Sequence, residues 1–113
     1  MRQRKPSRRR PSARADEQTT AVGVAWYSPA EFLRLRECAA DLDIIEDTHA
    51  EWEDNAIKVL QVLARQGVMA ERVPLIVDEV VRWCAERGRP FDSAARAEYV
   101  SEVLQRRGKG REG

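Results

Sequence analysis

The stretch VGVAWYSPAE, residues 22–31, contains a strand-to-helix transition on which the predicted fold depends. Val22, Val24 and Trp26 alternate with smaller or more polar neighbours, a period of two that predicts a short strand. Directly after them, residues 28–31 have the composition of a helix start. The ordered part of the chain is therefore predicted to begin with a strand that leads into a helix.

Two copies of a helix-start signal, the capping box, place the first two helices. Ser28 can accept a hydrogen bond from the third helical N–H, Pro29 suits the first helical position, and Glu31 can reach back to the cap. Thr48 and Glu51 repeat the pattern. Each helix is therefore expected to begin at a hydroxyl cap, with an acid in its first turn.

Further elements follow from apolar spacing and from the positions of glycine and proline. A second strand is predicted over residues 68–75, where Pro74 would confine it to an edge or to a side whose N–H faces water. Gly67, Gly88 and Gly108 lie where helices are expected to end. The predicted helices cover residues 29–40, 49–66, 77–87 and 94–106.

In the connection before the second helix, three side chains are expected to pack on the core: Leu42, Ile44 and Ile45. The predicted class is α+β, predominantly α, in the order β-α-α-β-α-α, with the strands forming a small ribbon.

Charge is distributed unevenly along the 113 residues, although the net charge is only +1. Residues 15–105 carry nine basic and eighteen acidic groups, and residues 37–54 have eight acids without Lys or Arg. The start of the chain has no acid through residue 14 and seven basic groups: Arg2, Arg4, Lys5, Arg8, Arg9, Arg10 and Arg14. The expected organisation is a disordered basic arm, one helical-rich domain and a disordered tail, over residues 1–20, 21–107 and 108–113.

Composition argues against several classes of protein. No apolar run approaches the roughly 20 residues of a membrane span, and no apolar segment follows the basic start as in a secretory signal. A cytoplasmic protein is therefore expected. Cys38 and Cys84 are far apart in sequence, which favours two free thiols in a reducing compartment over a disulfide.

Chemistry-bearing motifs are sparse. His49 and Glu51 match the H-x-E half of a zinc deaminase signature, but that chemistry needs further cysteine or histidine ligands, and the chain has one histidine and two isolated cysteines. His49 is therefore interpreted as a solvated residue of a first helical turn. The helices around residues 88–90 suggest a helix-turn-helix, but the second opens with alanines rather than base-reading side chains. No catalytic, metal or cofactor site is predicted.

Several phrases of the sequence resemble an uncharacterised family of short bacterial proteins of unknown function. The resemblance covers about residues 24–104 and implies no activity, cofactor or site. The phrases that carry it are residues 24–27, 46–48 with 51–52, 77–79 with 83–84, and 88–90 followed by 93–99.

Two functions are expected from these observations. The first is a non-enzymatic protein-interaction module with an acidic helical surface. Trp83, one residue off its helix's apolar stripe and expected to be half exposed, is its candidate partner contact. The alternative is a nucleic-acid-associated protein that uses the basic groups of residues 1–14 for nonspecific phosphate contacts. Homo-oligomers are compatible with both, and a natural start near Val22 is a further hypothesis.

Overall fold

The computed structural model describes residues 21–112. In chain order its elements are β1 (Val22–Trp26), α1 (Pro29–Cys38), a 3₁₀ turn (Leu42–Ile44), α2 (His49–Arg65), β2 (Ala70–Pro74), α3 (Val77–Glu86) and α4 (Ser93–Glu112). The predicted α+β class, its helical predominance and the order β-α-α-β-α-α are confirmed. The basic arm, and with it the candidate phosphate contacts, lies outside the described residues.

The two strands pair in parallel. The Val22 N–H donates to the Met69 carbonyl (2.9 Å), and the Leu75 N–H donates to the Trp26 carbonyl (3.0 Å). Successive residues of a strand direct their backbone groups to opposite sides, so the residues bonded to β2 are those at positions 22, 24 and 26. The intervening residues of β1 direct their N–H and C=O groups away from β2.

Pro74 lies on the outer edge of β2. Its partner in the register is Trp26, whose carbonyl accepts from Leu75, so the nitrogen of Pro74 faces away from β1. A residue that lacks an N–H is tolerated on that side because no ladder hydrogen bond is lost there. The prediction that Pro74 occupies such a position is confirmed.

The core lies between one face of the sheet and helices α1, α3 and α4. Its fully buried centre consists of Phe32 from α1, Val73 from β2, and Val77 and Val80 from α3. Burial of each of these side chains contributes roughly 1.5–3 kcal/mol. Other buried members of the cluster are Tyr27, Leu35, Leu75, Trp83, Cys84, Phe91, Ala95 and Val100.

Helix α2 covers the opposite face of the sheet. There the Trp26 and Trp52 rings meet edge to face, with their centroids 5.0 Å apart. The guanidinium of Arg72, a residue of β2, lies 4.3 Å from the centre of the Trp26 ring. The sheet is therefore packed on both faces, although it has only two strands.

The approach of α4 to β1 is set by Gly23. A Cβ atom at this position would overlap Val100 Cγ1 and lie 2.9 Å from Leu104 Cδ1. Any larger residue would push the helix away from the strand. Glycine is therefore required here by close approach rather than by backbone conformation.

The helix caps differ in one respect from the prediction. Ser28 and Thr48 each accept a hydrogen bond from the N–H three residues later, both at 3.1 Å, as expected. Glu31, however, does not return to its own cap; its Oε1 accepts from the Val77 N–H at 2.8 Å. Helix α3 begins after Ile76, which has no capping side chain, so Glu31 of α1 supplies the acceptor instead.

Two of the three glycines that are expected to end helices do so. Gly67 and Gly88 have φ values of 76° and 63°, in the left-handed region where glycine is favoured, and each lies just past a helix. The prediction that Gly108 ends the last helix is wrong, because α4 continues to Glu112. A glycine in a helix costs about 1 kcal/mol relative to alanine but does not forbid the conformation. Within residues 21–112, no helix has both the length and the apolar character needed to cross a bilayer.

Gly23→Ala is expected to lower the free energy of unfolding by about 1–3 kcal/mol, the usual cost of overpacking a filled contact. Urea denaturation measures the loss. The same substitution in a Val100→Ala background, where the overlapping methyl is absent, should cost less. Equal losses in both backgrounds would contradict the close approach of α4 through Val100.

Candidate functional site

A cleft of about 360 Å³ follows the free edge of β1. Gly23, Val24, Ala25 and Tyr27 line it, and all of these except Val24 direct backbone groups away from β2. Helix α2 forms one wall and α4 the other, because the two helices cover opposite faces of the sheet. The bottom of the cleft is thus a strand edge, and its walls are helices.

The walls are mostly apolar. Trp52, Ala56 and Val59 line the cleft from α2, and Ala97 and Val100 line it from α4. The sequence of α2 predicts an apolar stripe that packs on the core, at Trp52, Ala56, Val59, Leu60 and Leu63. Ala56 is the only buried residue of this helix, however, and Val59 is 49% exposed. Much of the stripe stays open because nothing among the described residues covers the β1 edge.

One side of the cleft is lined by an arginine that is held in an ion pair. Arg96, buried and lining the cleft, donates from Nη1 to Asp41 Oδ1 (3.1 Å) and from Nη2 to Asp41 Oδ2 (2.9 Å). The Ser93 N–H at the start of α4 also donates to Asp41 Oδ2 (3.0 Å). One carboxylate therefore joins the connection after α1 to the first turn of α4.

The surroundings of Asp41 and Tyr27 shift the pKa values of both side chains. Burial alone raises the pKa of Asp41, but hydrogen bonds and charge from Arg96, together with backbone hydrogen bonds, outweigh it and hold that pKa below its usual value. Burial raises the pKa of Tyr27 to about 12, so its hydroxyl stays protonated at neutral pH. The cleft is therefore lined by a neutral phenol and by the Arg96 guanidinium, whose charge Asp41 balances.

His49 closes one end of the strand edge. Its Nε2 donates to the Tyr27 carbonyl (2.8 Å), and its ring centroid lies 5.3 Å from that of Trp52 and 5.9 Å from that of Phe32. The interpretation of His49 as a solvated residue is wrong, because the imidazole is half-buried in an aromatic cluster. Its sequence position at a helix start gave no sign of this contact, which depends on how α2 docks against β1.

The 3₁₀ turn gives the cleft an acidic and apolar rim. Leu42 and Ile44 are 41% and 64% exposed, so the prediction that they pack on the core is wrong, while Ile45 does pack there. Ile44 and Glu46 line the cleft, and Glu46 Oε2 accepts from Asn55 Nδ2 (2.9 Å). Exposed apolar groups beside carboxylates therefore mark this end of the cleft.

Trp83, the candidate partner contact, lies away from the cleft and is only 8% exposed. Its Nε1 donates to Glu102 Oε1 (3.3 Å), its ring meets Tyr99 edge to face, and the Arg87 guanidinium lies 4.3 Å from the ring centre. The expected half exposure is not observed, because neighbours from α3 and α4 cover the indole. A partner contact at Trp83 stays a prediction.

The thiols also lie apart from the cleft. Cys38 and Cys84 are both free, and burial raises the pKa of the Cys84 thiol. Across the part of the chain that the structure describes, no three His, Cys, Asp or Glu side chains are grouped so that they could hold a metal ion. The cleft itself provides apolar surface, backbone hydrogen-bonding groups and an arginine held in an ion pair.

No protein-family model matches the sequence, and comparisons with curated proteins and with solved structures give no match. The resemblance to a family of short bacterial proteins stays a prediction.

Asp41→Asn is expected to lower the free energy of unfolding at pH 7 by about 3–5 kcal/mol, because it leaves the buried Arg96 charge without its partner. Since the folded-state pKa of Asp41 lies below the unfolded value of about 3.9, the contribution of the pair is complete above that value. It is lost as the pH falls through the folded-state pKa. The difference between wild type and variant should therefore be constant near neutral pH and shrink below about pH 4.

Asp78→Asn is the matched control for this measurement. It breaks the Arg34–Asp78 pair, whose side chains are 48% and 63% exposed, and should change the free energy of unfolding little, because water screens exposed charges. Urea denaturation across a pH series measures both variants. A loss for Asp41→Asn that matched the control, or that did not shrink in acid, would contradict the structural role of the pair.

Proposed function

We propose that the protein is a non-enzymatic interaction module that binds a partner polypeptide in the cleft along β1. The observation that carries the proposal is an open, apolar-walled cleft whose bottom is the unpaired edge of a strand. Clefts of this size are typical of ligand sites, and a strand edge adds main-chain hydrogen-bonding groups that suit another polypeptide.

Exposed apolar surface around the cleft supports a protein partner. At the start of β1, Val22 donates its N–H to the Met69 carbonyl, and the two residues are 46% and 66% exposed. Val59 and Val62 of α2 are 49% and 44% exposed. Exposed apolar side chains near a cleft favour an interaction surface, because their burial against a partner removes apolar area from water.

The charge around the cleft narrows the type of partner. The segment from residue 37 to residue 54 holds eight acids and no Lys or Arg, and it includes the 3₁₀ turn and the start of α2. Some of these acids have partners: Asp41 pairs with Arg96, and Glu37 with Arg34. The segment as a whole remains negative. A partner with basic residues beside its apolar contacts would therefore be favoured both in encounter rate and in specificity.

A matched pair of substitutions tests the proposal. Ala97 and Ala94 are both exposed residues of α4, but Ala97 lines the cleft and Ala94 does not. Ala97→Arg should fill the cleft and reduce capture of the partner about tenfold or more, whereas Ala94→Arg should leave capture unchanged. Arginine is nearly as favourable as alanine in a helix, so neither change should unfold α4.

The measurement is quantitative capture from a lysate of the source organism by the full-length protein and both variants, with circular dichroism as the control for folding. The proposal requires at least one protein whose recovery falls with Ala97→Arg and persists with Ala94→Arg. If every captured protein is recovered equally by the two variants, the cleft is not the binding site.

The alternative function, nonspecific binding of nucleic acid, depends on residues 1–14, whose basic groups could neutralise several phosphates. A salt titration of duplex DNA binding compares the full chain with a chain that begins at Val22. The alternative predicts salt-dependent binding that is lost on truncation. If the full chain shows no salt-dependent binding, the nucleic-acid function is wrong. If both chains bind equally, residues 1–14 do not contribute to binding.

A further inference from the structure

The free edge of β1 presents unpaired backbone groups inside the cleft. Gly23 and Ala25 are partly buried, and their N–H and C=O groups point away from β2. Among the described residues, neither makes a hydrogen bond on that side. Partly buried backbone groups without partners are unfavourable, so this edge is suited to receive hydrogen bonds from another chain.

The two edges of the sheet differ in how they treat a further strand. The outer edge of β2 carries Pro74, which has no N–H to donate. Proline is one of the usual means by which proteins block pairing at an edge. The outer edge of β1 carries Gly23 and Ala25 instead, which obstruct nothing. Only the β1 edge is therefore open to strand addition.

The length of the open edge is limited at one end. His49 already donates to the Tyr27 carbonyl. The groups that remain available to an added strand are the N–H and C=O of Gly23 and Ala25 and the N–H of Tyr27. At roughly 3.3 Å per residue, β1 spans ~16 Å, so an added strand would pair over about four to five residues.

The walls of the cleft determine which side chains an added strand needs. Residues of an added strand alternate between the two faces, so successive side chains would meet α2 and α4 in turn. Ala56 on one wall and Ala97 on the other are small and leave room beside the edge. Because both faces are apolar, the strand should be continuously apolar, as in sheets that are covered on both sides. Glu46, which also lines the cleft, favours a basic residue of the strand beside it.

We propose that the partner binds by β-strand addition: an extended, apolar segment of another protein pairs with the β1 edge and turns the two-stranded sheet into a three-stranded one. A basic residue of this segment lies beside Glu46. This proposal rests on the proposed function and specifies how the cleft is occupied.

Two other occupants fit less well. Residues 1–20 contain no Val, Ile, Leu, Phe, Tyr or Trp and include two prolines, so the arm of the same chain cannot supply an apolar strand. A second copy carries α2 and α4 beside its own β1 edge. Pairing of the two β1 edges would therefore bring two pairs of flanking helices into the same space. Both remain as outcomes of the experiment.

The experiment uses an array of synthetic six-residue peptides, in which four central positions are drawn from Val, Ile, Leu and Thr and a Lys stands at each end. Binding to the full-length protein is measured by fluorescence, and amide hydrogen exchange is followed by NMR. The tightest peptide should slow exchange of the Gly23, Ala25 and Tyr27 amides about tenfold or more. The Val24 amide, which already faces β2, should change little.

N-methylation of the peptide backbone provides the register control. Strand addition predicts that methylating one alternate set of amides weakens binding about tenfold or more, while methylating the other set has little effect. Equal effects of the two sets, or no protection of the Gly23 and Ala25 amides, would overturn strand addition. Ala97→Arg should abolish binding of the peptide, and Ala94→Arg should not.

The remaining outcomes separate this proposal from the proposed function. If no peptide binds, addition of an apolar strand is wrong, while the capture experiment with the Ala97 and Ala94 variants still decides whether the cleft binds a protein. If the Gly23 and Ala25 amides are already protected without peptide and light scattering reports a dimer, a second copy occupies the edge. If they are protected in a monomer, and truncation to Val22 exposes them, the arm does.

Discussion

Hydrogen bonds from Val22 to Met69 and from Leu75 to Trp26 join two strands that could not persist as a separate unit, because an isolated pair of strands is marginal in water. A parallel pair also needs a long connection, and here α1, the 3₁₀ turn and α2 form it. The pairing therefore places α2 on one face and exposes the other to α1, α3 and α4. It also determines that Gly23 and its alternate neighbours present their backbone groups to the cleft.

Two contacts hold the last helix in a position that leaves this edge open. Gly23 lets α4 approach β1 closely through Val100, and the Asp41–Arg96 pair fixes the first turn of α4 to the connection that follows α1. The first contact holds α4 on the core face of the sheet, and the second fixes where the helix starts. Since α2 lies on the other face, the edge between the two helices is flanked but not covered. The cleft is thus a consequence of how a very small sheet is packed.

Local signals in the sequence located most of the elements. The alternation in residues 22–26, the hydroxyl caps Ser28 and Thr48, and the glycines after α2 and α3 all act within a few residues, so their meaning does not depend on the rest of the fold. Predictions failed where a distant partner intervened. Glu31 could have completed its own capping box, but it bonds Val77 because α3 begins without a capping side chain.

The candidate site was not predictable in the same way. The apolar stripe of α2 has the spacing of a core-facing helix, and spacing alone does not reveal whether another element covers it. Ile44 and Trp83 show the same limit in opposite directions: an isoleucine expected in the core is exposed, and a tryptophan expected to be half exposed is buried. Each outcome depends on which helix packs nearby.

The sequence by itself determined the class of the fold, the order of its elements, the edge position of Pro74 and the acidic character of the folded part. These properties follow from composition and from interactions between residues close in the chain. Tertiary structure alone decided that the strands pair in parallel, that Asp41 meets Arg96, and that the edge of β1 lies open between α2 and α4. These features join residues that are tens of positions apart, and their geometry is set by the packing of the whole domain rather than by any local pattern.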